Sequence, residues 1–124
     1  MKIKILLKFY FNAESLNERL NGLITYRACR AEGRDCFERV LELIEDKQRL
    51  CSLMNYLETV FKKLTEEDKS TLKEYADLRI GIVNLKDAQR REIKRAVMKF
   101  SRKLTNIDGH TEEVRVLKRY RAVL

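Results

Sequence analysis

The stretch Val40-Leu-Glu-Leu-Ile-Glu-Asp-Lys-Gln-Arg-Leu-Cys-Ser-Leu-Met-Asn-Tyr-Leu-Glu-Thr-Val-Phe-Lys-Lys-Leu64 decides the fold. Val40, Lys47, Met54 and Phe61 recur every seven residues, and Leu43, Leu50, Leu57 and Leu64 do the same three positions on. These are the a and d positions of four consecutive heptads, so the spacing predicts one long helix. Ile44, Leu53 and Val60 widen the apolar stripe into the flanking e and g positions. A two-stranded zipper keeps those positions charged, so the wider stripe predicts a helix inside a bundle, contacting two neighbours. Asp35 and Glu38 stand ahead of it at capping-box spacing, with Asp where Ser or Thr is usual. The expected span is Asp35–Leu64.

Toward the N-terminus, Asn12 reads as a helix cap, with Ser15 as a second candidate. From Ala13 to Ala31, helical spacing places Leu16, Leu20, Leu23, Ile24, Arg27 and Ala28 on one face, and Glu32-Gly33 ends the segment. Residues 2–11 alternate Ile3, Ile5 and Leu7 with Lys2, Lys4 and Leu6, which fits a short strand or the first turns of a helix.

Toward the C-terminus, Thr65 caps the next helix and Glu66, Glu67 and Asp68 complement its dipole. Leu72, Tyr75, Ala76 and Ile80 form its buried side, and Gly81 bends the chain. Asn84 or Asp87 starts another helix, with Ile93, Ala96, Val97, Phe100 and Leu104 inward. Asn106, Asp108 and Gly109 make a turn, and Thr111-Glu-Glu opens a short last helix with Val114, Leu117 and Leu124 inward.

The whole reads as a single all-α domain, residues 1–124, a bundle of four or five helices around one long central helix. A β-fold or a dinucleotide-binding fold would need more turn residues than four glycines and no proline supply. No internal repeat or separating linker is visible. No apolar run approaches the ~18 residues of a membrane span. The apolar start Met1–Phe11 is interrupted by Lys8 and followed by no small-x-small site, so it is not read as a signal peptide. Cys29, Cys36 and Cys51 are an odd count without paired spacing, which points to a reducing cytoplasm. Cys36 and Cys51 are expected as small core residues.

The positive charge is concentrated. Residues 1–85 carry 15 Lys/Arg and 14 Asp/Glu, whereas residues 86–124 carry 12 and 5. Most of the excess lies in Lys86, Arg90, Arg91, Lys94, Arg95, Lys99, Arg102 and Lys103. Their natural partner is a polyanion, with DNA preferred over RNA. The competing readings are an acidic protein partner, a plain solvated face, or docking on the acids Glu42, Glu45 and Asp46 of the long helix. The tail Lys118-Arg119-Tyr120-Arg121 is basic as well, and Lys118, Arg119 and Arg121 could add phosphate contacts.

Catalysis is not indicated. The single histidine, His110, falls in a predicted exposed turn, and no Cys-x-x-Cys is present, so neither a metal site nor a nucleophilic triad is expected. Gly22, Gly33, Gly81 and Gly109 are isolated, which excludes a Gly-rich phosphate loop. Arg27-Ala-Cys-Arg30 ahead of the leucine heptads does not make a basic zipper, because Gly33 interrupts and Glu32 and Asp35 dilute the charge. No cofactor is expected.

Two stretches, Phe61-Lys-Lys-Leu-Thr-Glu-Glu-Asp-Lys-Ser-Thr-Leu-Lys-Glu-Tyr75 and Arg91-Glu-Ile-Lys-Arg-Ala-Val-Met-Lys-Phe-Ser-Arg-Lys-Leu104, carry a resemblance. From Leu57 onward the chain resembles the C-terminal, region-4-like domain of sigma factors and the small phage-type regulators related to them. The resemblance implies a helix-turn-helix between residues 65 and 104, with Arg90, Arg91, Lys94 and Arg95 facing DNA. Between Tyr75 and Arg90 that family places a short helix, often with a Glu-Ile-Ala core, and then a Gly-centred turn. Here Ala-Asp-Leu-Arg-Ile-Gly-Ile-Val-Asn-Leu-Lys-Asp-Ala-Gln has the glycine without that core.

The first functional expectation is thus a non-enzymatic nucleic-acid-binding protein, a small transcriptional regulator. Its contacts would come from Arg90, Arg91, Lys94, Arg95, Lys99, Arg102 and Lys103. The alternative is a helical interaction or oligomerisation module that pairs through Leu43, Leu50, Leu57 and Leu64.

Overall fold

The computed structural model describes residues 3–30, 34–79 and 84–124. Among them are five α-helices and no strand: α1 (Ile3–Cys29), α2 (Arg34–Phe61), α3 (Glu66–Asp77), α4 (Asp87–Lys103) and α5 (Thr111–Arg119). Two 3-10 turns, Ile107–His110 and Arg121–Val123, flank α5. The expected cap at Gly33, the bend at Gly81 and the inward place of Ile80 lie outside the described residues, as do the side chains of Asp35 and Cys36.

The heptad helix forms as expected, but it has a counterpart. At 27 and 28 residues, α1 and α2 make a long hairpin against which the three shorter helices pack. On α2, Leu43, Leu50 and Leu57 are buried, together with Leu53 and Val60 from the widened stripe, whereas Ile44, expected to widen it as well, is exposed. Leu64 is buried in the turn just beyond the helix. Burying each of these side chains contributes about 1.5–3 kcal/mol of transfer free energy. Because the leucine stripe is filled by helices of the same chain, it is closed to pairing with a second copy.

The start of the chain is helical. Ile5, Leu6, Leu7 and Phe9 are all buried, so this turn is covered nearly all round, by α2 on one side and α3 on the other. A helix apolar on every side is one enclosed by neighbours. Asn12 marks the expected boundary, where two helical segments of α1 meet across a kink, but its side chain bonds backward and accepts from no amide of the following turn. It sits at φ −120°, ψ 15° inside α1, where its amide Nδ2 donates to the Lys8 carbonyl at 2.8 Å and the helix kinks. Beyond Leu20 the expected inward face is kept only in part: Ile24 is half-buried against the core, while Leu23, Arg27 and Ala28 are exposed.

Phe61 is the node joining the long and short helices. Its ring stacks on Tyr10 at 3.8 Å, meets Phe11 edge-on at 5.6 Å and tilts against Phe100 of α4 at 5.3 Å. Thr65 caps α3 as its sequence predicts, with Oγ1 accepting from the Asp68 amide at 3.1 Å. The Lys4 ammonium donates to the Leu78 carbonyl at 2.7 Å and satisfies the chain just past the end of α3. Leu117 of α5 is buried as expected and Val116 is buried beside it, while Val114 and Leu124 are half-buried.

Candidate nucleic-acid interface

α4 is amphipathic in the plainest sense. Ile93, Ala96 and Phe100 are buried against the core, and Leu104 follows them just past the helix. The helix starts at Asp87, with Lys86 preceding it and no side-chain cap bond. Arg102 and Lys103 in the last turn complement the negative end of the helix dipole.

All seven cations expected to bind fall on this helix, and the structure divides them into two groups. Arg90 is half-buried and ion-paired to Asp87 three residues earlier. Lys99 reaches across to α3, where its ammonium donates to Asp68 at 3.2 Å. Burial pushes the Asp68 carboxyl up, but hydrogen bonds from Lys99 and Thr65 outweigh this and hold it below the usual carboxylate range. The remaining five, Arg91, Lys94, Arg95, Arg102 and Lys103, are exposed. Among the described residues, none of these five has a carboxylate within ion-pair distance. Arg91 makes one long internal hydrogen bond, from Nε to the Asp87 carbonyl at 3.4 Å.

At 3.6 residues per turn, Arg91, Arg95, Met98 and Arg102 share the centre of the solvent face, with Lys94 on one edge. Met98 is 54% exposed in the middle of this charge. The pattern of inward residues alone did not single it out. The signal was available in its spacing, seven residues after Arg91 and opposite Ala96 and Phe100.

The acids of α2 do not receive this face. Glu42 pairs with Arg39 of its own helix at 2.8 Å. Asp46, only 3% exposed, accepts from Tyr120 at 2.6 Å and from Arg119 at 3.2 Å. Arg119 is thereby a structural residue of the α2–α5 contact, and Lys118 and Arg121 are the exposed cations of that tail. Burial, then the hydrogen bond to Asp46, pushes the Tyr120 phenol up to about 12.

Two other expectations are corrected. His110 is half-buried: its ring stacks on Tyr56 at 4.5 Å, and its Nδ1 lies 3.5 Å from Glu113 Oε1. An imidazole beside a phenol ring buries apolar area that an isolated turn residue could not. Cys51 is exposed, like Cys29, because it lies on the side of α2 away from α5 and at the edge of the α1 contact. Among the described residues, no group of three or more His, Cys, Asp or Glu side chains could hold a metal ion. No described helix is long and apolar enough to cross a membrane.

The helices of the resemblance, α3 and α4, pack on each other. Residues 78–86 join them, nine residues where a helix-turn-helix uses three or four. Comparison with known proteins finds no matching family model, curated protein or solved structure.

Proposed function

We propose that this chain is a non-enzymatic nucleic-acid-binding protein of the cytoplasm, a small regulator of transcription that uses the solvent face of α4. The observation that carries the reading is Arg91, Arg95 and Arg102 in line on the solvent face of α4, with Lys94 and Lys103 exposed on opposite flanks and, among the described residues, no carboxylate within ion-pair distance of any of the five. A helix end to end with unpaired Lys and Arg attracts phosphates and releases their counterions on binding. From Arg91 to Lys103 the axis runs about 18 Å, room for several phosphates of one strand. A single helix also fits the major groove of B-DNA, where arginine reads guanine and an apolar tip such as Met98 can meet a thymine methyl. Duplex DNA is thus the preferred ligand.

The test is fluorescence anisotropy with a short duplex DNA and a single-stranded RNA at two salt concentrations. Affinity should fall steeply with salt, with a slope of about −0.9 per phosphate neutralised for duplex DNA. Arg91→Glu with Arg95→Glu should abolish most of the binding and leave the helical signal in circular dichroism unchanged, since both side chains are exposed. Unchanged affinity in that double variant would exclude α4 as the interface.

A further inference from the structure

A groove of about 500 Å3 lies between the first turns of α1, the end of α3, the middle of α4 and the last 3-10 turn. It is lined by three cations, Lys4 and Lys8 from α1 and Arg121 from the 3-10 turn, and among the described residues by no Asp or Glu side chain. Lys4 is committed: its ammonium donates to the Leu78 carbonyl at 2.7 Å and lies 5.3 Å from the centre of the Tyr75 ring. Both partners are neutral, so its charge is not cancelled. Lys8 is half-buried and Arg121 exposed. Among the described residues, neither has a side-chain or terminal carboxylate within ion-pair distance. The remaining walls are mostly apolar, Ile3 and Val97 among them. Val97 ties the groove to α4. It stands three residues after Lys94, on the same edge of the helix. The opposite edge carries Glu92 and the Lys99–Asp68 pair. A polyanion lying on the solvent face of α4 therefore leaves it over Lys94, toward the groove, and is turned away from the edge with Glu92.

We propose that this groove is the second half of the nucleic-acid interface: the sugar–phosphate backbone of the strand held by α4 continues past Lys94 into it, with Lys8 and Arg121 as phosphate ligands. The proposal rests on the reading of α4 as a nucleic-acid interface and extends that interface to α1 and the C-terminal turn. A cation with no internal counter-ion breaks no existing pair when it takes up a phosphate, and the counterions of the strand are released. The Arg121 guanidinium can hold a phosphate through two parallel N–H bonds, whereas the Lys8 ammonium acts as a point charge. Lys4 adds positive potential from a fixed position. These contacts go to backbone and to no base edge, so they add affinity without sequence preference. Lys8 and Arg121 lie near opposite ends of the chain, and only the packing of the C-terminal turn on α1 and α4 brings them to one groove.

The test uses the full chain and a duplex DNA of about two helical turns, titrated by fluorescence anisotropy across a range of salt. Lys8→Gln with Arg121→Gln should weaken binding by about fivefold or more and flatten the salt slope by about 2, equally on two unrelated sequences. Lys8→Arg with Arg121→Lys should keep the parent slope, because charge is what the groove supplies. Arg121→Gln alone alters one exposed side chain and should flatten the slope by about 1, which keeps the proposal testable if the double variant unfolds. Parent affinity and slope in these folded glutamine variants, with binding still lost in Arg91→Glu with Arg95→Glu, overturns the groove and leaves α4 standing. Loss in the glutamine variants with none in the α4 variant overturns the shared interface. A parent chain that binds no duplex at low salt overturns the α4 reading and the groove with it.

Discussion

α2 and α4 each turn one face to solvent, and the two faces are chemical opposites. On α4 the exposed line is Arg91, Arg95, Met98 and Arg102, flanked by Lys94 and Lys103. On α2 it is Phe37, Leu41, Ile44, Gln48, Cys51 and Asn55. Both helices bury an equally regular apolar stripe, so inward packing does not explain the difference. What remains after the core is satisfied is the part of each helix free to do something else. The α4 line is cationic and suits a polyanion, whereas the α2 line is uncharged, with Phe37, Leu41 and Ile44 exposed beside Cys51 and the amides Gln48 and Asn55.

The largest effect that sharpens this contrast separates the two stripes of α2 itself. Leu57→Ala, at a fully buried site, should lower stability by about 2–5 kcal/mol in urea unfolding. Leu41→Ala, on the exposed stripe, should stay within about 0.5 kcal/mol for the monomer. A comparable cost at both positions would mean the outer stripe is packed in the monomer, and the comparison would break.

Next comes α4. Arg91→Glu with Arg95→Glu should weaken duplex binding at least tenfold, about 1.4 kcal/mol. It should also flatten the salt slope by about 2. Unchanged affinity and salt slope in that variant would show that α4 is not the binding face.

Among single cations, Arg95→Ala should weaken duplex binding in the same anisotropy titration more than Lys99→Ala does. Lys99 is already engaged with Asp68, whereas Arg95 has no carboxylate within ion-pair distance among the described residues. Equal losses would erase the distinction between engaged and free cations. A pH titration probes the clasp of Tyr120 on Asp46. The raised Tyr120 phenol contributes stability that is fully present below the ordinary tyrosine range near 10, and loses it as pH climbs through about 12. Stability followed by circular dichroism should therefore drop across that alkaline window, and Asp46→Asn should shrink the drop. The smallest effect is expected from Met98→Ala, about twofold or less on duplex affinity, because it removes one apolar contact and no charge.

The sequence made legible whatever depends on local period. The leucine stripe, the Thr65 cap and the split of α4 into apolar and basic faces are read within a few turns of helix, and each is present. What it could not show depends on which neighbour arrives. Leu23 has the same spacing as Leu16 and Leu20, yet it is exposed, at the height where the C-terminal turn with Tyr120 and Val123 meets α1. Ile5, Leu6 and Leu7 look like an ambiguous run until two helices are placed around them. Lys99 finds Asp68 across 31 residues, and Arg119 finds Asp46 across 73, so neither pairing leaves a periodic trace. Of the candidate site, the basic helix was visible from charge alone. Its division into free and engaged cations was not.

The clasp of Tyr120 and Arg119 on Asp46 also says something about the order of folding. α1 with α2, and α3 with α4, are neighbours along the chain and can associate after closing short loops. The α2–α5 contact closes across more than 70 residues and carries a correspondingly larger entropic cost. On loop-closure entropy α5 is expected to dock last, with the clasp unformed in the folding transition state. Breaking it with Asp46→Asn should accelerate unfolding while the refolding rate stays close to that of the parent chain. The buried aspartate then acts as a brake on opening, and takes no part in nucleating the bundle it holds shut.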